Sequence, residues 1–278
     1  MPMAISIQRA MHKCRDVLTE HASLCALLAR SGLIAMLAIG GSKIALSQTK
    51  PGGEVRPAVG GVVSLPDAVL IYPAQGAPGA CGENCSNWLA AEGTVHWDGH
   101  TRFTAGLDRF GDRKRPIFLN VRGQSDLNGA MRIGRLLRER GYEVGVGQTI
   151  ADQCRDLNES DCVALKRSGA SLPASLSSVG TCDLACVLIL AGGVRRTLPD
   201  DTKVLIQSTK ITSRLGLNIS DEQREGLHAR FRGQIKLYFA QMGVDPALAD
   251  VLEANYGIGR NTLLSRPEVI RLRIVTGS

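Results

Sequence analysis

The stretch Thr181–Arg196, TCDLACVLILAGGVRR, constrains the fold more than any other part of this chain. From Leu184 to Ala191 it offers only apolar side chains and one thiol. A helix that is apolar all round cannot lie on a surface and has to be enclosed on every side. Asp183 is placed to cap its start, and Gly192-Gly193 makes a corner after it. The chain must therefore build layers around this segment. With 278 residues, 44% of them hydrophobic, it has the material for one sizeable domain plus extras.

The flanking sequence supplies strands and helices in alternation. Pro116–Asn120 (PIFLN) reads as a short apolar strand, and Val121–Ser125 (VRGQS) as a glycine-containing turn. Asp126 caps a helix whose apolar face carries Leu127, Ala130, Met131 and Leu137. Arg132, Arg135 and Arg140 fall on its outer side, and Arg138, nearer the apolar face, is expected to extend its head group to water. Gly141 ends the helix and Tyr142–Gly147 (YEVGVG) forms the next strand, a β-α-β crossover that implies parallel pairing. Lys203–Gln207 (KVLIQ) is a further buried-strand candidate. Ser220 with Gln223 makes a capping box that opens a helix to about Met242, with Leu227, Phe231, Ile235, Tyr238 and Met242 on its apolar side. Asp245-Pro246 opens another helix, stopped by Gly257. Thr94–Trp97 and His100–Ala105 flank Asp98-Gly99 and predict a hairpin.

The N-terminus differs in character. Residues 31–47 (SGLIAMLAIGGSKIALS) form an apolar run behind a basic leader, which predicts a signal sequence, with Ala45-Leu46-Ser47 as a cleavage site, or an uncleaved transmembrane anchor. The basic flank sends the rest of the chain outward, to a periplasmic or otherwise exported location. Residues 48–79 then read as a linker and residues 80–278 as the folded domain.

The formal charge is +7. Residues 1–47 hold five basic and two acidic side chains, leaving 28 basic against 24 acidic in the remainder. That mild excess contains no basic run, and aromatics are only 4% of the chain, so a nucleic-acid partner is not expected.

Beyond the leader's Cys14 and Cys25, six cysteines fall in three local groups: Cys81 and Cys85, Cys154 and Cys162, Cys182 and Cys186. An even count in an exported domain predicts disulfides, although six cysteines allow 15 connectivities. Cys154 with Cys162, bracketing the polar loop CRDLNESDC, is the favoured pair. On paper Cys81-x3-Cys85 followed by His96-x3-His100 also resembles a zinc site. The histidines bracket a turn rather than riding on a helix, and export favours oxidised cysteines, so neither metal nor cofactor is expected.

The order PIFLN, VRGQS, helix, YEVGVG, TCDLAC, helix, GGVRR, KVLIQ resembles the crotonase-like fold of Clp-type serine proteases and signal peptide peptidases. It is most similar to bacterial exported proteins of uncharacterised function on that frame. The resemblance runs from about Cys81 to the C-terminal tail Leu264–Gly277. It implies an α/β fold with a crotonase-like (Clp-type) β-α-β spiral core and C-terminal helices. In such a frame a C-x-S-A-C motif presents the nucleophile at a helix N-terminus. A glycine loop helps hold the oxyanion, and a V-G-V-H strand brings the base.

Matched position by position, the serine is replaced by Leu184 and the histidine by Gln207. Leucine has no nucleophile, and a glutamine amide is no base at neutral pH. The oxyanion-like elements are Gly123, Gln124 and Ala185. The resemblance thus implies a degenerate dyad, a pseudoenzyme that binds peptide or protein in a cleft lined by Gly123, Gln124, Leu184 and Gln207, and a possible homo-oligomer. The alternatives are a serine-type peptidase with rearranged residues, using Ser178 or Ser208, and an acyl-thioester enzyme. Thr181 is a third hydroxyl near the site, Asp183 a possible acid or base, and Cys186 a possible thiol nucleophile. A backbone hydrogen-bonding, capping or disulfide role accounts for each of them more simply.

Overall fold

The computed structural model describes residues 65, 67–110, 115–207, 220–255 and 260–276. All of them belong to one compact unit, Gly60–Ser278. The leader, the 31–47 segment and Ser208 lie outside the described residues. One expectation is corrected: among the described residues no helix is long and apolar enough to cross a membrane.

The architecture is α/β with mixed sheets. Strands β1 (Leu70–Gln75), β2 (Asn87–Gly93), β3 (Ile117–Val121), β4 (Val144–Val146), β5 (Gln148–Ala151), β6 (Leu172–Ser177) and β8 (Arg196–Thr197) form one sheet in the order β5-β6-β1-β2-β3-β4-β8. The β2, β3, β4 and β8 run is parallel, whereas β1 meets β2 and β5 meets β6 antiparallel. Strands β7 (Thr181–Asp183), β9 (Lys203–Gln207) and β10 (Asn261–Leu264) make a second sheet in the order β10-β9-β7.

The helices are α1 (Gly99–Phe110), α2 (Leu127–Arg140), α3 (Glu159–Arg167), α4 (Leu184–Ala191), α5 (Asp221–Gln241), α6 (Leu248–Ala254) and α7 (Arg266–Arg271). All eight residues of α4 are buried, as its composition demands. It crosses α2 so closely that side chains are excluded. A Cβ at Gly192 would lie 2.1 Å from Gly134 O, and one at Gly134 would lie 2.8 Å from Leu188 O. The Tyr238 hydroxyl donates to that same Leu188 carbonyl at 2.5 Å, tying α5 to α4.

Alternation along the strands gives the seven-stranded sheet two different faces. Ile71, Leu89, Ala91, Ile117 and Leu119 join the large core with α1, α2 and α4. Tyr72, Ala74, Trp88 and Ala90 face the other way into a smaller core. That core is closed by the segment carrying the Cys154–Cys162 disulfide (S–S 2.03 Å). Lys166 of α3 forms an ion pair with Glu92, which also accepts from the Tyr72 hydroxyl.

Several sequence expectations change. Leu70–Gln75, placed in the linker, is an interior strand, so the domain begins before residue 80. The hairpin about Asp98-Gly99 is instead the start of α1. Asp98 O accepts from Arg102 N, its carboxylate holds the Arg102 guanidinium, and Gly99, Phe103 and Leu107 recur at helical spacing on the buried face. The polar loop between Cys154 and Cys162 contains a 3-10 turn (Asp152–Asp156) and the start of α3, capped by the Asn158 side chain. Arg138 turns inward, donating to Ala191 O and Met242 O.

Candidate functional site

The expected catalytic positions lie around the start of α4. Strand β7 pairs in parallel with β9, placing Asp183 opposite Leu205, and the chain turns directly into the helix. Asp183, in extended backbone, accepts from Cys186 N at 3.1 Å. The Ala185 N–H also donates to it. The first-turn amides that would hold a developing oxyanion thus already serve a carboxylate. Burial pushes the Asp183 carboxyl above its ordinary value, and these two N–H bonds oppose the shift.

Leu184 is 3% exposed and belongs to the large core. Gln207 ends β9 on the exposed side, opposite Asn261 of β10. Gly123 and Gln124 are exposed. A common open cleft lined by all four is therefore excluded, because Leu184 has withdrawn from the surface. Around Leu184 the Cys182–Cys186 disulfide (S–S 2.01 Å) joins β7 to the first turn of α4. Both sulfurs are buried and bonded, so neither is a free thiol nucleophile.

The Arg122–Ser125 loop is held by its own bonds. Arg122 N donates to Gly93 O at 3.0 Å, Ser125 N to Gly123 O at 3.0 Å, and Val95 N to Ser125 Oγ at 3.0 Å. Gly123 has φ +73, and a Cβ there would come within 2.8 Å of Thr94 Oγ1. This glycine is required by the turn itself, whatever the loop binds.

Ser178 fares no better as a substitute nucleophile. Ser178 Oγ donates to Asp201 Oδ2 at 2.5 Å, a carboxylate partner rather than a histidine. His96 Nε2 lies 3.0 Å from Asp67 Oδ1. The zinc arrangement fails at its sulfurs, since Cys81 and Cys85 are bonded to each other (S–S 1.93 Å). Among the described residues no group of three or more His, Cys, Asp or Glu side chains is placed to hold a metal.

One open cavity, of about 860 Å³, lies elsewhere, on the smaller-core face of the sheet where β3, β4 and β8 continue beyond that core. None of Gly123, Gln124, Leu184, Ala185 or Gln207 lines it. Its signal in the sequence is the i, i+2 pairing of Pro116 with Phe118, Glu143 with Gly145 and Arg195 with Thr197, which becomes a surface only once the parallel register is known.

No protein-family model matches the chain, and no curated protein matches it. Among solved structures, a crystal structure described as that of an enzyme resembles it with a TM-score of 0.39 and 10% identity, over 66% of this chain and 90% of that one. A likeness this remote assigns neither fold family nor function.

Proposed function

We propose that this chain is an exported, non-catalytic protein on a crotonase-like, Clp-type frame, acting by binding peptide or protein. The observation that carries the reading is the chemistry at the start of α4. The amides at the helix N-terminus are spent on Asp183, and the residue where a nucleophile belongs is a buried leucine. A hydrolase needs both a nucleophile and a vacant oxyanion site, and this arrangement offers neither. The parallel crossover from β3 through α2 to β4, followed by β7, α4, β8 and β9, is in keeping with the frame. Three disulfides fit an oxidising compartment.

The test treats the purified full-length protein with a fluorophosphonate serine probe, and in parallel exposes it to an array of random dodecapeptides. The expected result is no probe labelling and saturable retention of intact peptides. Labelling at any serine, peptide cleavage, or an array without retention overturns the proposal.

A further inference from the structure

The open cavity has a composition that selects its ligand. Its floor is a pair of rows across three parallel strands. Phe118, Gly145 and Thr197 are in register in one row. Pro116, Glu143 and Arg195, two residues earlier in each strand segment, make the next. Phe118 is half-buried, set edge-on to Trp88 with ring centroids 6.5 Å apart. Gly145 lets it lie close: a Cβ there would come within 2.6 Å of Phe118 Cε1 and 2.7 Å of Thr197 Oγ1. One wall is the loop closed by the Cys81–Cys85 disulfide, which brings Asn84 and Asn87 to the cavity.

The charges decide between ligand classes. Among the described residues that line the cavity, two arginines, Arg115 and Arg195, balance two glutamates, Glu83 and Glu143. Arg195 and Glu143 are moreover paired with each other at 2.5 Å. A phosphate, an acidic ligand or a cation would have to compete with that internal pairing and would meet no net attraction. A neutral ligand carrying adjacent hydroxyls meets no such penalty. One hydroxyl accepts from the guanidinium while its neighbour donates to the carboxylate beside it. Asn84, Asn87 and Thr197 add groups that both donate and accept. Phe118 and Pro116 offer an apolar patch for the C–H face of a ring. A volume of about 860 Å³ lies within the usual range for a small-ligand site.

The geometry points to a binding site for a neutral saccharide, on the sheet face opposite the large core and away from the start of α4. It is independent of the peptide-binding reading, since none of Gly123, Gln124, Leu184, Ala185 or Gln207 lines the cavity.

The experiment follows ¹H–¹⁵N spectra of the full-length protein titrated with maltotetraose, cellotetraose and chitotetraose, and separately with the neutral tetrapeptide Ala-Phe-Gly-Asn. At least one oligosaccharide is expected to shift the amides of Gly82, Asn84, Gly145 and Thr197 saturably at millimolar concentration. Affinity should change less than twofold between low salt and 0.5 M NaCl. Glu143→Gln, at a half-buried position, and Arg195→Gln, at an exposed one, should each weaken binding at least fivefold while leaving the rest of the spectrum in place. Phe118→Leu should weaken it by a similar factor. Three outcomes overturn the assignment: no shift with any oligosaccharide at 20 mM, shifts confined to other residues, or binding of the tetrapeptide alone.

Discussion

At Asp183 two physical demands meet. The carboxylate caps a helix whose remaining surface is wholly buried, and burial raises its pKa above the ordinary 3.8. The folded chain therefore retains this proton over a window above pH 3.8 in which the unfolded chain has lost it. In that window the native state binds more protons, so this group makes stability fall as pH rises. Asparagine also caps helices well and does not titrate. Urea midpoints of Asp183→Asn relative to wild type should therefore rise between pH 4 and pH 7, all other titrating groups being common to both chains. Parallel curves would show that the site does not sense its burial. The neighbouring position supports a second test. Leu184→Ser places a hydroxyl where a leucine fills the core, at a cost of about 3 kcal/mol for the lost volume and the buried polar group. Even the double variant Leu184→Ser/Gln207→His should stay unlabelled by a fluorophosphonate, because the Ala185 and Cys186 amides remain bound to Asp183. Asp183's capping role was legible in sequence, since an acid before an all-apolar helix has few other uses. The burial of Leu184 was legible too, since a helix apolar all round has to be enclosed, and that burial is incompatible with the cleft position that motif matching gave it.

The C-terminal ends of α4 and α5 converge on arginines rather than on solvent. Arg196, 3% exposed, donates to the carbonyls of Ala191, Met242, Arg273 and Ile274. Arg138 shares two of these acceptors, Ala191 O and Met242 O. Cations suit helix C-termini, where several carbonyls lack partners within the helix. Burial, with Arg138 nearby, lowers Arg196 to a pKa of about 10, which still leaves it charged at neutral pH. Arg196→Met should destabilise the protein by about 3 kcal/mol or more, since the Arg273 and Ile274 carbonyls lose this donor and those of Ala191 and Met242 keep only Arg138. Hydrogen exchange should show protection lost first around Arg273–Thr276, which Arg196 also holds through its backbone. A stable variant with an unchanged tail would remove the clamp from the argument.

The same region shows what periodicity conveys at the level of elements. It placed Arg138 beside the apolar face of α2 but sent its head group outward, because the carbonyls it reaches belong to residues 53 and 104 positions away. The misread α1 has a different cause. A two-residue hairpin signal and a helix start can be written with the same Asp-Gly, and the tertiary burial of Phe103 and Leu107 decides between them.

Across the whole molecule, β1 and its neighbour β2 each face both cores. β1 lies between β6 and β2 in the long sheet. Its Ile71 faces the large core, and Tyr72 and Ala74 face the smaller one. The alternating layers were legible from the hydrophobic patterns after residue 115, but β1 was hidden by the glycine- and proline-rich sequence around it. A chain beginning at Ala80 keeps every cysteine pair of the domain and the whole of α4, so a linker ending at residue 79 predicts that it folds. The sheet order predicts the reverse. Without β1 the β5–β6 pair loses the strand that pairs it into the sheet beside β2, and Leu89 and Trp88 lose a neighbouring strand on that side. A chain beginning at Gln48 should give a dispersed amide spectrum and a cooperative urea transition, and one beginning at Ala80 should give neither. A cooperative transition from the shorter chain would mean that β1 is an accessory to this fold and not a strand on which its two cores depend.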